Sequence, residues 1–130
     1  MILNTDGGAR GNPGPGAAGV VLRNDTGDVV KQVGLYLGVC TNNEAEYKAL
    51  ALGLQTALGI GVKTLVCRLD SELVVNQVIG RYKIKQAHLK LLNDAIKKLA
   101  AQFEAVSFEY VPRAQNNLAD KIVNEVLDAA

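Results

Sequence analysis

The chain has 130 residues, of which 48% are hydrophobic and 21% charged, and its formal net charge is +1. That size and balance suit one globular domain over residues 1–130 with one core, and a near-neutral total excludes a global field that would draw in nucleic acid. No apolar run approaches the ~20 residues that span a bilayer, and Cys40 and Cys67 stand apart, with no CxxC pair and no His at zinc spacing.

The first residues lack a basic n-region and a cleavage site, so the expectation is a cytoplasmic protein with two buried, reduced thiols. Met1 to Leu3 is an apolar run that leads through Asn4 and Thr5 to Asp6. A stretch dominated by Gly and Pro follows, from Gly7 to Gly16. The pattern predicts a short buried strand ending at Asp6 and opening into a tight turn. A carboxylate there is costly to bury unless something positive meets it. The glycines leave backbone N–H groups uncovered and admit another chain closely.

Ala17 to Arg23 reads as a second strand, Asn24 to Gly27 as a hairpin turn and Asp28 to Leu37 as a third strand. Thr41-Asn42-Asn43-Glu44 announces a helix, with Thr41 or Asn42 as N-cap and Glu44 at the capping-box position. This helix is expected to run to about Leu58 and stop at the Gly59 and Gly61 pair. Glu44 lies above Lys48 on its wet face. Glu46 instead shares a stripe with Ala49, Leu50, Gly53, Leu54 and Ala57, on or beside the buried face. Val62 to Leu69 predicts a fourth strand that ends at Asp70, and Ser71 opens a helix that stops at Gly80.

Arg81 to Lys98 reads as a linker and an amphipathic helix with Leu89, Leu92, Ala95, Ile96 and Leu99 on its apolar stripe. This segment holds Arg81, Lys83, Lys85, Lys90, Lys97 and Lys98 against a single acid, Asp94. Val106 to Val111 predicts a fifth strand, and Pro112 to Gln115 a loop. Asn116 or Asn117 caps a last helix with Asp120 in its first turns. The order βββαβααβα places the chain in the α/β class, with a five-stranded mixed sheet and helices packed on its faces. Ligands gather at strand ends in such sheets.

Four acids thus occupy awkward places: Asp6, Glu46, Asp70 and Asp120. Four converging carboxylates repel one another unless cations neutralise them. All-oxygen ligation suits Mg2+ or Mn2+, not zinc. Two such ions ~3.5–4 Å apart can clamp the attacking and leaving oxygens of a phosphodiester displacement. The only His, His88, has no candidate serine near it, and no GxxxxGK[ST] loop is present. Metal-assisted phosphodiester hydrolysis is the chemistry these residue types permit, and spacing alone leaves open whether the four converge.

TDGGARGNPGPGAAG at Thr5 to Gly19, TNNEAEYKAL at Thr41 to Leu50, DSELVVNQV at Asp70 to Val78 and RAQNNLADKIVNE at Arg113 to Glu125 resemble type 1 ribonuclease H, in order and over essentially the whole chain. The resemblance implies an endonuclease that cuts the RNA strand of an RNA–DNA hybrid with two Mg2+ ions, Mn2+ being the substitute, and leaves 5′-phosphate and 3′-hydroxyl ends. It implies that Asp6, Glu46, Asp70 and Asp120 hold the metals. It also implies that Gly7, Asn12, Asn42 and Asn43 line the minor groove, where a wide groove displays 2′-hydroxyls, and that Thr41 helps hold a DNA phosphate. Many family members carry a His in the loop before the last acid, and here Arg113 stands in that loop. Many also carry a long basic handle between the middle helices. Here Gly80 to Gln86 is short, and Lys83, Lys85 and Lys90 cluster where the handle would begin. Glu72 adds an acid beside Asp70 where some members have Gln. The expected protein is a monomer with no membrane partner and no small-molecule cofactor. Two alternatives are a nuclease or resolvase of the same fold acting on DNA, and a hybrid-binding module without catalysis. The Gly-rich segment and Thr41-Asn42-Asn43 argue against the first, and retention of all four acids against the second.

Overall fold

Residues 1–130 are described by a computed structural model, and the elements follow the expected order. They are β1 (Ile2–Ala9), β2 (Gly14–Arg23), β3 (Val29–Cys40), α1 (Asn42–Ile60), β4 (Thr64–Leu69), α2 (Glu72–Val78), α3 (Ala87–Ala100), β5 (Ala105–Tyr110) and α4 (Asn117–Ala129). One 3-10 turn, Arg113–Gln115, precedes α4. The sheet order is β3-β2-β1-β4-β5. The first three strands form an antiparallel meander, while β4 pairs parallel with both β1 and β5. Each parallel step needs a crossover, and the helices supply it: α1 before β4, α2 and α3 before β5.

Alternation along β2 sorts the two faces. Val20 and Leu22 join the main core with Leu50 and Leu54 of α1, Val74 of α2 and Ile96 of α3. Ala17 and Val21 point to the opposite face and meet Val123 and Ile122 of α4. Two glycines let the helices settle close to the strands. A Cβ at Gly7 would overlap the Ala45 carbonyl of α1, and one at Gly19 would overlap the Ala119 carbonyl of α4. Any larger residue would push away the first turns that bear Glu46 and Asp120.

Several boundaries differ from expectation. Asp6 does not end its strand. The parallel ladder with β4 stops at Thr5 opposite Leu69, but antiparallel pairing with β2 continues to Ala9 opposite Gly16. The glycines that read as a turn are strand residues, since Gly also serves where backbones approach closely. Strand β3 passes Leu37 to Cys40 because Gly38, at φ +75°, absorbs a bulge and pairing resumes. Helix α1 runs through Gly59 and ends at Gly61, which is left-handed at φ +91°.

Thr41 is the N-cap of α1. Its hydroxyl accepts from the Glu44 N–H at 3.2 Å, and its own N–H donates to Glu44 Oε1 at 2.9 Å. Glu44 is therefore turned back onto the cap and does not pair with Lys48, and the bond to the Thr41 backbone holds its carboxyl below the usual range. Asn116 stands at the N-cap of α4 but does not cap it with its side chain. Both cysteines are buried and free, and burial pushes the Cys67 thiol up to about 12.

Candidate active site

Strands β1 and β4 leave their shared ladder at the same level, after Thr5 and Leu69. The next residues are Asp6 and Asp70. Register alone thus sets two carboxylates side by side. Glu46 comes in from α1, where the close approach at Gly7 allows the Gly7 N–H to donate to Glu46 Oε1 at 3.1 Å. One carboxylate oxygen from each of Asp6, Glu46 and Asp70 lies within 4.8 Å of the others. Asp6 is 6% exposed and Glu46 8%. Glu46 Oε2 is buried with no hydrogen-bond partner.

No cation of the chain pairs with these three acids; of the ion pairs formed, only Arg113–Asp120 involves one of the four. Burial, with the charges of Asp70 and Asp120 adding to it, pushes the Asp6 carboxyl up to about 7, against the opposing bond from Glu46. Glu46 is raised well above the usual range by burial and then by the Asp6 charge, and the Gly7 N–H only partly offsets this. The set is all-oxygen, too negative for its burial, and holds an unpartnered inward oxygen. It fits a hard divalent cation.

Asp120 lines the same cleft, of about 500 Å³, but stands outside the three-acid cluster. Its Oδ1 accepts from Arg113 Nη2 at 3.2 Å, and Asn124 Nδ2 lies 3.5 Å from its Oδ2. The Arg113 guanidinium is mostly exposed, and the Asp120 charge raises it further. Glu109, a plausible partner for Arg113 by proximity in sequence, is taken by Arg68 at 2.6 Å. Glu72 is exposed and does not border the cleft.

Of the expected groove residues, Gly7, Asn42 and Asn43 line the cleft, whereas Asn12 and Thr41 do not. Asn12 instead clasps the loop to the helix. Its Oδ1 accepts from the Asn42 N–H at 3.0 Å, and Asn42 Oδ1 accepts from the Ala9 N–H at 2.9 Å. Lys83 and Lys90 lie away from the acids, in a separate groove of about 290 Å³ between α2 and α3 that also holds Tyr82 and Lys97. Lys85 is outside that groove, and none of these three lysines forms an ion pair.

The sequence reading missed several residues here. Asn116, 2% exposed, donates to the Thr5 carbonyl at 2.9 Å and accepts from Asn4 at 3.2 Å, tying the start of α4 to β1 beside Asp6. Arg10 borders the cleft, paired with Asp128 at 2.6 Å. Tyr110, at the end of β5, is half-exposed on the rim. The one available signal was Arg10, a cation inside a glycine-rich segment. A second cavity of about 350 Å³, beside Asn116, holds Arg23 and Arg68 but none of the four acids.

A family model described as "Reverse transcriptase-like" matches residues 4–126. A bifunctional protein of Mycobacterium tuberculosis is 41% identical over the whole chain, which spans 36% of that relative's length. The crystal structure of RNase H1 from Halobacterium salinarum superposes with a TM-score of 0.98 at 39% identity, covering 99% of this chain and 98% of that one. LC11-RNase H1, solved in complex with an RNA/DNA hybrid, matches with a TM-score of 0.91 at 40% identity, covering 95% and 94% of the two chains. Shared fold, motif order and near-complete overlap at this identity leave one assignment: the chain belongs to the type 1 ribonuclease H family.

Proposed function

We propose that this chain is an endoribonuclease that hydrolyses the RNA strand of RNA–DNA hybrids, leaving 5′-phosphate and 3′-hydroxyl ends. The observation that carries the reading is the Asp6–Glu46–Asp70 cluster, brought together by strand register and by the close seating of α1 at Gly7 on an open cleft, with no cation of the chain paired to it. The hybrid-bound relative supports the substrate class. The protein acts in the cytoplasm as a monomer, with residues 1–130 as one catalytic domain.

Asp6, Glu46, Asp70 and Asp120 would hold two Mg2+ ions, or Mn2+ in their place, which would supply neutralising charge and an activated water. The chain's own residues do the rest. The Gly7 N–H fixes Glu46 Oε1, leaving Oε2 as the oxygen with no other duty. Gly7, Asn42 and Asn43 offer small donors and acceptors to the minor groove, where a 2′-hydroxyl distinguishes RNA from DNA. Asn12 holds that wall in place through Asn42. The Thr41 hydroxyl, an acceptor from Glu44, keeps its hydrogen for a DNA phosphate. Lys83, Lys85 and Lys90 add backbone affinity, and Arg113 presents its fork to phosphate once it releases Asp120.

Matched RNA–DNA, RNA–RNA and DNA–DNA duplexes, each with Mg2+ or Mn2+, test this reading. Cleavage confined to the RNA of the hybrid is the expected result. Cleavage of the DNA duplex would make it a DNA nuclease instead. Binding without cleavage under either ion would make it a binding module.

A further inference from the structure

One residue past Glu46, three buried polar side chains from three helices meet. Tyr47 of α1 is fully buried, Asn93 of α3 is 1% exposed and Gln77 of α2 is 6% exposed. The Tyr47 hydroxyl donates to Gln77 Oε1 at 2.7 Å and accepts from Asn93 Nδ2 at 3.3 Å. Around them the core is apolar, with Leu50, Val74, Leu89 and Ile96. Phe at 47 with Leu at 77 and 93 would suit such surroundings without any desolvation cost. A satisfied buried network adds little net stability, but its bonds are directional and fix how elements sit against one another.

Two of these helices adjoin the metal site, and α3 braces both from behind. Tyr47 adjoins Glu46 in α1. Gln77 lies on the seven-residue α2, whose N-cap Ser71 directly follows Asp70. α1 and α2 touch over only a short stretch, so apolar packing constrains their relative rotation weakly. α1 is seated firmly on β1, β2 and α3, whereas the short α2 packs sparsely on all its neighbours, so a small shift of α2 costs the core little. Such a shift moves Asp70, next to the α2 N-cap, relative to Glu46, and Mg2+ demands near-ideal geometry at about 2.0–2.1 Å. We propose that Tyr47 is a positioning residue: its hydroxyl, held by Gln77 and Asn93, locks α1 against α2 and so sets the separation of Glu46 and Asp70 at which a divalent cation is held. The inference rests on the metal-site part of the proposed function and needs none of its substrate part.

The test compares Tyr47→Phe with the triple variant Tyr47→Phe/Gln77→Leu/Asn93→Leu, in which no polar group is orphaned. Three quantities are read: Mn2+ binding by calorimetry, thermal stability in chelator, and kcat and KM on hybrid. Both variants are expected to bind Mn2+ about tenfold more weakly and to lose about as much kcat, with KM within about twofold of the parent. The triple variant does so while its metal-free stability stays near the parent's. Parent-like Mn2+ affinity in Tyr47→Phe, with only stability lowered, would overturn the proposal, as would a triple variant that recovers binding together with stability. Should the triple variant not fold, the single variant decides. A parent that binds Mn2+ but cleaves no hybrid would refute the substrate reading and leave the calorimetric test intact. A parent that takes up no Mn2+ would overturn both.

Discussion

Asp6→Asn should make the metal-free protein more stable, and increasingly so as pH rises. In the folded state burial pushes the Asp6 carboxyl from its ordinary 3.8 up to about 7. Below about pH 4 the carboxyl is protonated folded or unfolded, so its burial costs nothing extra. Between about pH 4 and 7 the unfolded chain releases that proton and the folded chain retains it, so stability falls by up to about 1.4 kcal/mol per pH unit. Three such units set a ceiling of about 4 kcal/mol. Because Asp6 and Glu46 each influence the other's ionisation, part of that total belongs to the pair, and about 2–4 kcal/mol is the gain expected from Asp6→Asn at pH 8. The Asn side chain keeps the shape of Asp and adds an amide donor facing the Glu46 carboxylate, so the geometry is kept. Urea unfolding of parent and variant in chelator, from pH 4 to 8.5, measures the difference, and titrations common to both proteins cancel. A gain that is equal at pH 4 and pH 8, or a variant less stable than the parent at pH 8, would refute the electrostatic account of this site.

Asp6→Asn, Glu46→Gln and Asp70→Asn should each nearly abolish hybrid cleavage while the protein stays folded; parent-like turnover with Mg2+ in any of them would remove that acid from the metal set. Neutralising Lys83, Lys85 and Lys90 together should lower the slope of log affinity against log salt by up to about 2–3 units with kcat little changed, and an unchanged slope would make them a solvated face. Arg113→Ala should reduce kcat at saturating hybrid about ten- to a hundredfold, equivalent to about 1.4–2.7 kcal/mol of barrier. Arg113→Lys should recover only part of this loss, because a lysine lacks the fork. Parent-like turnover in the Ala variant would confine Arg113 to its bond with Asp120.

Two of the acids were legible for physical reasons. Glu46 betrayed itself by sharing a helical stripe with Leu50 and Leu54, and it is buried there. Asp70 followed an apolar run that is a strand, β4. Asp6 was found for a partly wrong reason. Local pattern read its glycines as a turn, although Gly7 is needed for contact with α1, a partner some forty residues away in sequence. Asn116 shows the same limit. A residue that opens a helix reads as a cap, yet its amide serves Thr5 and Asn4 across more than a hundred residues. The capping box at Thr41 was readable because both partners are local, and the loss of the Glu44–Lys48 pair follows from it. The Tyr47 network could not be read at all, since a tyrosine on a buried stripe reads as core.

The connection from Gly80 to Gln86 takes no part in the sheet, and the four acids all belong to other segments of the chain. Lengthening such a surface segment is cheap: each doubling adds only about 0.6 kcal/mol of closure entropy. Residues can therefore be added or removed at this point without moving a single carboxylate. On the proposed function, this segment is where affinity for the duplex backbone can be retuned while the groove contacts and the acids of the cleft are inherited unchanged.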